Sequence, residues 1–190
     1  MNDLLYNRKT AYIAVFLMIL TSIFILGGNS LRREYTRILN VAHGQNMLGI
    51  DLEFESNLVL ANSANLLVVA GRYLDASDNR IVDIRTILNE PGSASNLSDW
   101  EAGFDAMARV IPIVDDLLRS FNDMDISPAS ANHLTEIDSN IRAAIRRVNQ
   151  SAYFSMAEDF NRTLQNPYTN LIAMVRGVRE FQIVSISWGE

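Results

Sequence analysis

The sequence predicts an all-α fold: an elongated antiparallel bundle of three to four long helices on an N-terminal transmembrane helix. Three observations predict it. A stretch without formal charge runs between Lys9 and Arg32 and is dominated by Leu, Ile, Phe and Val. Beyond it, apolar residues recur at alternating three- and four-residue spacing along most of the chain, the period of a one-sided helix. The interruptions coincide with helix-capping residues or with Gly and Pro. The expected organisation is a short flank over 1–10, a transmembrane helix over 11–28, a helical bundle over 29–177 and an apolar C-terminal tail over 178–190.

The first element is the apolar stretch. Its 22 uncharged residues (10–31) would span about 33 Å as a helix, enough for a hydrocarbon core of about 30 Å. Ten Leu, Ile, Phe or Val residues fall within 13–26, and together they favour insertion by about 3–6 kcal/mol. Thr21 and Ser22 can return their hydroxyls to the helix backbone. A cleaved signal peptide is the competing reading, but the apolar run is longer than the usual 7–15 residues. Leu26-Gly27-Gly28 also lacks a small residue three positions back, and Gly28-Asn29-Ser30 matches a cleavage site only marginally. Basic residues flank both ends, Arg8 and Lys9 before and Arg32, Arg33 and Arg37 after, so the positive-inside rule leaves the orientation open.

The helical pattern continues past the span through Leu31, Tyr35, Ile38 and Ala42, so the same helix runs on toward His43-Gly44-Gln45-Asn46, where Gly44 suits a helix end. A second helix is expected from about Asp51 to Leu74. Leu52, Val59, Leu66 and Tyr73 recur every seven residues in it, as do Phe54, Ala61 and Val68, while Glu55, Ser56, Asn62 and Ser63 gather on the opposite side. Asp75-Ala-Ser-Asp-Asn79 interrupts the pattern. Ile81, Ile84 and Leu88 resume it, as a new segment or a kinked continuation, and 91–96 reads as a loop.

Ser98 and Glu101 form a capping box for the third helix. Trp100, Phe104, Met107, Ile111, Val114, Leu118 and Phe121 then supply an unbroken stripe, with an expected kink at Pro112. Ser127-Pro128 opens a fourth helix, expected to run about 38 residues to Gln165 on a stripe of Leu134, Ile137, Ile141, Ala144, Val148, Ala152, Met156, Phe160 and Leu164. Asn166-Pro167 caps a short helix from Tyr168 to Arg176, closed by Gly177. In the tail, Val184, Ile186 and Trp188 alternate.

Composition narrows the function. The 190 residues contain no cysteine, which excludes a disulfide scaffold, a zinc–thiolate centre and a thiol nucleophile. Residues 30–190 carry 21 acids against 14 bases, a net of −7, which disfavours nucleic acid as a partner. Lys9 is the sole lysine, so the bundle has no catalytic lysine.

The last helices and the early helix resemble the LemA family of bacterial membrane proteins. Members there show Tyr-Asn, five residues, Tyr-Asn again, then Phe-Pro and a closing Phe. This chain has Tyr153-Phe154, Phe160-Asn161, Asn166-Pro167 through Ala173, and Phe181, with Asn65-Leu66 and Tyr73 in the early helix. Phe154, Gln150 and Ala64 stand where the family has Asn, Arg and Pro, the pattern of a divergent member. The resemblance implies an all-α bundle on the cytoplasmic side of the membrane, with no assigned catalytic activity.

Each chemically capable group also has a plain structural reading. His43 and His133 stand at helix ends, and only Glu136 lies at metal-ligand spacing from a histidine. Asp115, Asp116, Asp123 and Asp125 lack the turn glycine of a calcium loop and read as a solvated helix terminus. Glu53 and Glu55 point to different sides of a helix. Arg142, Arg146 and Arg147, with Asp138, could grip an acidic partner or anionic headgroup, or form an exposed ion-paired face. Asn65 and Asn161, near apolar stripes, suit a register role. The tail could fold back on the bundle, add a strand to a partner or to a second copy, or touch the membrane.

No catalytic, cofactor-binding or metal-ligating residue is assigned, and no cofactor is expected. The expected partners are the membrane, through a single-pass anchor, and an unidentified protein or a second copy of the chain. The function read from the sequence is a non-catalytic, membrane-anchored module for protein–protein interaction or self-assembly. The alternative is an accessory or sensor subunit of a membrane enzyme or transporter.

Overall fold

A computed structural model describes residues 8–44, 50–90, 100–181, 183 and 188. Among them there are seven α-helices and one short 3-10 turn. The helices are α1 (Arg8–Ala42), α2 (Leu52–Ala70), α3 (Asn79–Leu88), α4 (Trp100–Ser120), α5 (Pro128–Asn149), α6 (Ala152–Leu164) and α7 (Pro167–Arg176), with the 3-10 turn Phe121–Asp123 after α4. The chain is all-helical, as expected. Gln45 and Asn46, the 91–96 loop, Ser98 of the capping box, Val184 and Ile186 lie outside the described residues.

Local chemistry explains most helix ends. Asp51 Oδ1 accepts from the Phe54 amide at 3.0 Å to open α2, and Asp78 Oδ1 accepts from the Arg80 amide at 2.9 Å to open α3. The segment after Asp75 is therefore a separately capped helix. Ser127 and Asn166 cap α5 and α7, each followed by proline at the first helical position. Gly44 (φ 63°) and Gly177 (φ 64°) both take the left-handed conformation that ends a helix.

The chain divides into two compact units. The first comprises 1–39 and 155–181, and the second 40–154 and 182–190.

In the second unit α2 packs on both α4 and α5, and α3 packs on α2 and α4. Polar contacts at both ends fix the directions. Glu55, early in α2, pairs with Arg147, late in α5. Tyr73, just past α2, bonds Ser127 and Ser130 at the start of α5. Arg80 at the start of α3 reaches Asp116 late in α4, while Glu90 beyond α3 pairs with Arg109 earlier in α4. Both helix pairs are antiparallel. Leu52, Val59, Leu66, Ile81, Ile84, Met107, Ile111, Val114, Ile141 and Val148 form the core.

In the first unit α1 carries the long apolar stretch. It is, among the described residues, the one helix long and apolar enough to cross a membrane. Its best 18-residue window has a mean hydropathy of 2.3, and protein covers only 6% of it. Farther along, Tyr35 stacks on Phe181 with ring centres 4.7 Å apart and meets Phe160 at 6.1 Å. Phe160, Leu164, Ala173, Val178 and Phe181 are buried there.

Three expectations need correction. The fourth helix is not one rod of about 38 residues, because it breaks at Gln150 and Ser151. Gln150 ends α5, and the Ser151 Oγ accepts from the Tyr153 amide at 3.2 Å, a serine turn that restarts the chain as α6. Burial then shifts by one residue. Tyr153, Ala157, Phe160 and Leu164 are buried, and Ala152 and Met156 only partly so.

The second correction concerns α2, where Leu52, Val59 and Leu66 are buried but the second apolar set and the polar set are exchanged. Glu55, Ser56, Asn62 and Ser63 are buried, whereas Phe54, Ala61 and Val68 face out. Burial of the small polar residues is possible because they need no partner across the interface. Ser56, Asn62 and Ser63 each donate to the carbonyl four residues back, at 2.6–2.8 Å. The helix also stops at Ala70, four residues before Leu74. The third correction is Asn65, which is exposed and away from the core.

α4 follows its predicted stripe up to Val114, then buries Leu117 fully and the expected Leu118 only in part, and it continues through Pro112. That proline lies on the exposed side, where water can reach the Ala108 carbonyl it leaves unpaired.

Candidate functional site

The first unit contains an unusual joint between α1 and α7. Gly27 and Gly28 remove two side chains from one side of α1 and leave a notch. Ile172 Cδ1 of α7 stands 3.4 Å from where a Gly27 Cβ would be. The Arg176 side chain fills the space over Gly28, with Nε at 2.4 Å and Cγ at 3.0 Å from an added Cβ. Arg176 Nη2 donates to the Ile25 carbonyl at 3.5 Å. A Cβ at Gly28 would force the Arg176 side chain to shift, whereas one at Gly27 would make ordinary contact, and Gly28 is buried within an otherwise exposed stretch of α1.

α7 has its apolar face on the outside. Thr169, Ile172, Ala173 and Arg176 turn inward, while Tyr168, Leu171, Met174 and Val175 are exposed. Just beyond α7, Phe181 is fixed by Asn161 of α6. The Phe181 amide donates to Asn161 Oδ1, and Asn161 Nδ2 donates to the Phe181 carbonyl, both at 2.8 Å. Asn161 thereby takes the positioning role expected of an asparagine beside an apolar stripe.

The second unit offers two surfaces. One is the outer side of α2, where Phe54 and Val68 are 60% and 63% exposed along with Ala61. The other is a groove of about 290 Å³ at the end of α4 and the start of α5, lined by Leu118, Phe121, Ile126 and Leu134 among others. Its charged rim is paired within the chain: Asp115 with Arg119 at 2.9 Å and Asp138 with Arg142 at 2.8 Å.

The acidic and basic residues singled out by the sequence are dispersed. His43 Nδ1 lies 3.5 Å from Glu53, a contact made by the chain closing between His43 and Asp51 rather than by helical spacing. His133 and Glu136 are exposed and 3.7 Å apart. Among the described residues no group of three or more His, Asp or Glu could hold a metal ion. Asp123 and Asp125 are exposed at the 3-10 turn.

Glu55 is the exception in burial. Its side chain is 6% exposed, and Arg147 donates to both carboxylate oxygens, Nε at 2.5 Å and Nη2 at 2.8 Å. That carboxylate raises the guanidinium pKa of Arg147. Arg142 pairs with Asp138 and lies 5.1 Å from the Trp188 ring centre, so at Trp188 the tail returns to α5. Arg146 is exposed on the same helix.

Two other groups have displaced pKa values. A hydrogen bond from the Arg80 side chain, aided by backbone amides, holds Asp78 down to about 2 against the opposing effect of burial. Hydrogen bonding with the Ser127 and Ser130 hydroxyls, and from the Ser127 amide, lowers the pKa of the Tyr73 phenol.

The fold and these surfaces define a class: an all-α protein with one N-terminal helix long and apolar enough to cross a membrane. Compared with protein-family models, curated proteins and solved structures, the chain matches none. No sequence signal singled out the α1–α7 joint. Gly27-Gly28 and Arg176 were visible only as a weak cleavage site and a helix end.

Proposed function

We propose that this chain is a non-catalytic, membrane-anchored helical module that works by protein–protein contact or self-assembly, as a divergent relative of the LemA family. The observation that carries the reading is the apolar stretch of α1, of whose best 18-residue window the described residues cover only 6%. Exposed apolar side chains in such number are unfavourable in water and favourable in lipid. The outer side of α2, with Phe54, Ala61 and Val68, is the surface offered to a partner. The antiparallel α2–α5 and α3–α4 pairs support a helical bundle in the second unit as the presenting domain. The family resemblance favours the cytoplasmic side for it.

The test uses the full chain in its native membrane. Alkaline carbonate should leave it in the pellet, and release into the supernatant would overturn the anchor. A photo-crosslinker at Val68 should give one adduct of defined mass, lost in Phe54→Glu. Adducts of random mass, or none, would overturn the contact role. An adduct at twice the chain mass identifies self-assembly. One at the mass of a larger membrane protein identifies an accessory subunit. Because the chain has no cysteine, Ser95→Cys supplies a unique thiol for a membrane-impermeant maleimide. Labelling only after lysis is the outcome expected for a cytoplasmic bundle, and labelling of intact cells overturns that side.

A further inference from the structure

A ten-residue helix on a water-facing surface turns its apolar residues inward and its polar residues outward. α7 buries Ala173 and half-buries Ile172, but most of its outer face is apolar too. Tyr168 is 81% exposed, Met174 73% and Val175 67%, with Leu171 beside them, while Arg176 is turned inward. Its position along α1 explains this exposure. Ile172 and Arg176, a full turn apart on α7, converge on the adjacent residues Gly27 and Gly28 of α1. Those glycines stand where the apolar stretch ends. Exposed Ile23, Ile25 and Leu26 precede them, and Asn29, Ser30, Arg32 and Arg33 follow. α7 therefore sits against α1 where the exposed apolar stretch gives way to polar and basic residues.

We propose that α7 is an interfacial helix, with Tyr168, Leu171, Met174 and Val175 embedded in the bilayer surface. This rests on the reading of α1 as membrane-spanning. Lipid is the occupant, because α7 sits at the end of a stretch of α1 that lipid covers in that reading. Its chemistry also suits the boundary. Tyrosine is enriched where hydrocarbon meets headgroups, and a short apolar face buries to that depth. Arg176 places a cation at the same level, bonded to the Ile25 carbonyl, with its aliphatic stem over Gly28. The protein would then hold the membrane by two elements far apart in sequence, one crossing it and one lying in it.

The cysteine-free chain makes depth directly measurable. Single variants Met174→Cys, Ile19→Cys and Glu158→Cys would carry an environment-sensitive NBD label. The full chain would be reconstituted into phosphatidylcholine–phosphatidylglycerol vesicles. Quenching by lipids with nitroxide on the acyl chain is compared with quenching by iodide.

The Ile19 label should respond to deep acyl-chain nitroxide and the Glu158 label to iodide. The expected result at Met174 is blue-shifted emission and quenching several-fold stronger by shallow acyl-chain nitroxide than by iodide. If Met174 responds to iodide while Ile19 responds to lipid, the interfacial helix is overturned and the anchor stands. If Met174 is shielded from both quenchers, protein covers the face and the proposal is again overturned. An Ile19 label open to iodide overturns the anchor itself and the inference with it. Leu171→Cys, tested alongside, guards against a local effect of the label at 174.

Discussion

Asn161 binds both backbone polar groups of Phe181, accepting from its amide and donating to its carbonyl at 2.8 Å each. One carboxamide thus does for a single residue what a neighbouring strand would do, and it sets the Phe181 ring against Tyr35 and Phe160. Asn161→Leu should remove both bonds and cost about 1–3 kcal/mol. Asn161→Asp should keep the bond from the amide but set a carboxylate against the carbonyl. Hydrogen exchange at the Phe181 amide is the readout. It should accelerate strongly in the Leu variant and less in the Asp variant, and equal protection in all three proteins would refute the role.

Glu55 and Arg147 should show strong coupling. Arg147→Met leaves a buried carboxylate without its partner and should cost about 2–4 kcal/mol, whereas Glu55→Gln with Arg147→Met should recover a large part of that loss. A double-mutant cycle in urea measures the interaction, and additive single effects would contradict it.

Asp78 gives a pH signature. Its carboxylate is held down to about 2 in the folded protein, below its ordinary value of 3.8, so the folded state favours the ionised form. The contribution is complete above about pH 4 and disappears as pH falls toward 2. Asp78→Asn keeps a capping oxygen but loses the ion pair. It should cost on the order of 1–2 kcal/mol at neutral pH, with the gap to the parent protein closing in acid. A gap that stays constant from pH 6 to 2.5 in denaturant titrations would exclude the carboxylate as its source.

The α1–α7 joint predicts a reversal of sign. Alanine favours a helix over glycine by roughly 0.8–1 kcal/mol. At Gly28, however, the added Cβ meets the Arg176 side chain at 2.4 Å. Gly28→Ala alone should loosen α7, seen as faster trypsin cleavage at Arg176 and Arg179. In an Arg176→Ala background the same change should be neutral or stabilising, with cleavage followed at Arg179. Identical effects of Gly28→Ala in both backgrounds would refute the contact.

Ser63 is fully buried and bonds only its own helix. Ser63→Leu should overpack the interior of the second unit and cost about 1–3 kcal/mol, while Val68→Gln on the outer side should be nearly neutral. Thermal melts of the two variants would separate the faces of α2.

Much of this architecture was legible because its signals are local. Ser127-Pro128, Asn166-Pro167, Gly44 and Gly177 act within a few residues of where they stand, so their spacing reports their structure. The faces of α2 were not legible. Phe54, Ala61 and Val68 repeat as regularly as Leu52, Val59 and Leu66, and periodicity cannot tell which set faces the core. Of the polar residues that should have decided it, Ser56, Asn62 and Ser63 satisfy themselves within the helix and Glu55 finds Arg147 of α5. The α5–α6 break was hidden for another reason. Val148, Ala152 and Met156 preserve the spacing across it, so a one-residue shift in burial leaves no gap in the pattern. Asn161 and Phe181, or Gly28 and Arg176, meet across long stretches of chain, and nothing local announces such pairs.

The first unit joins the beginning of the described chain to a segment more than a hundred residues later. During synthesis, α1 leaves the ribosome with its glycine notch vacant. The second unit can form its α2–α5 contacts while the notch is still waiting for α7. The closing contact is thus a late event in the birth of the protein. A ribosome that stops before Pro167 would release a chain with an intact apolar leading helix and nothing to seal it. Its Gly27–Gly28 surface would stay open to neighbouring helices, since small residues let helix backbones approach closely in lipid.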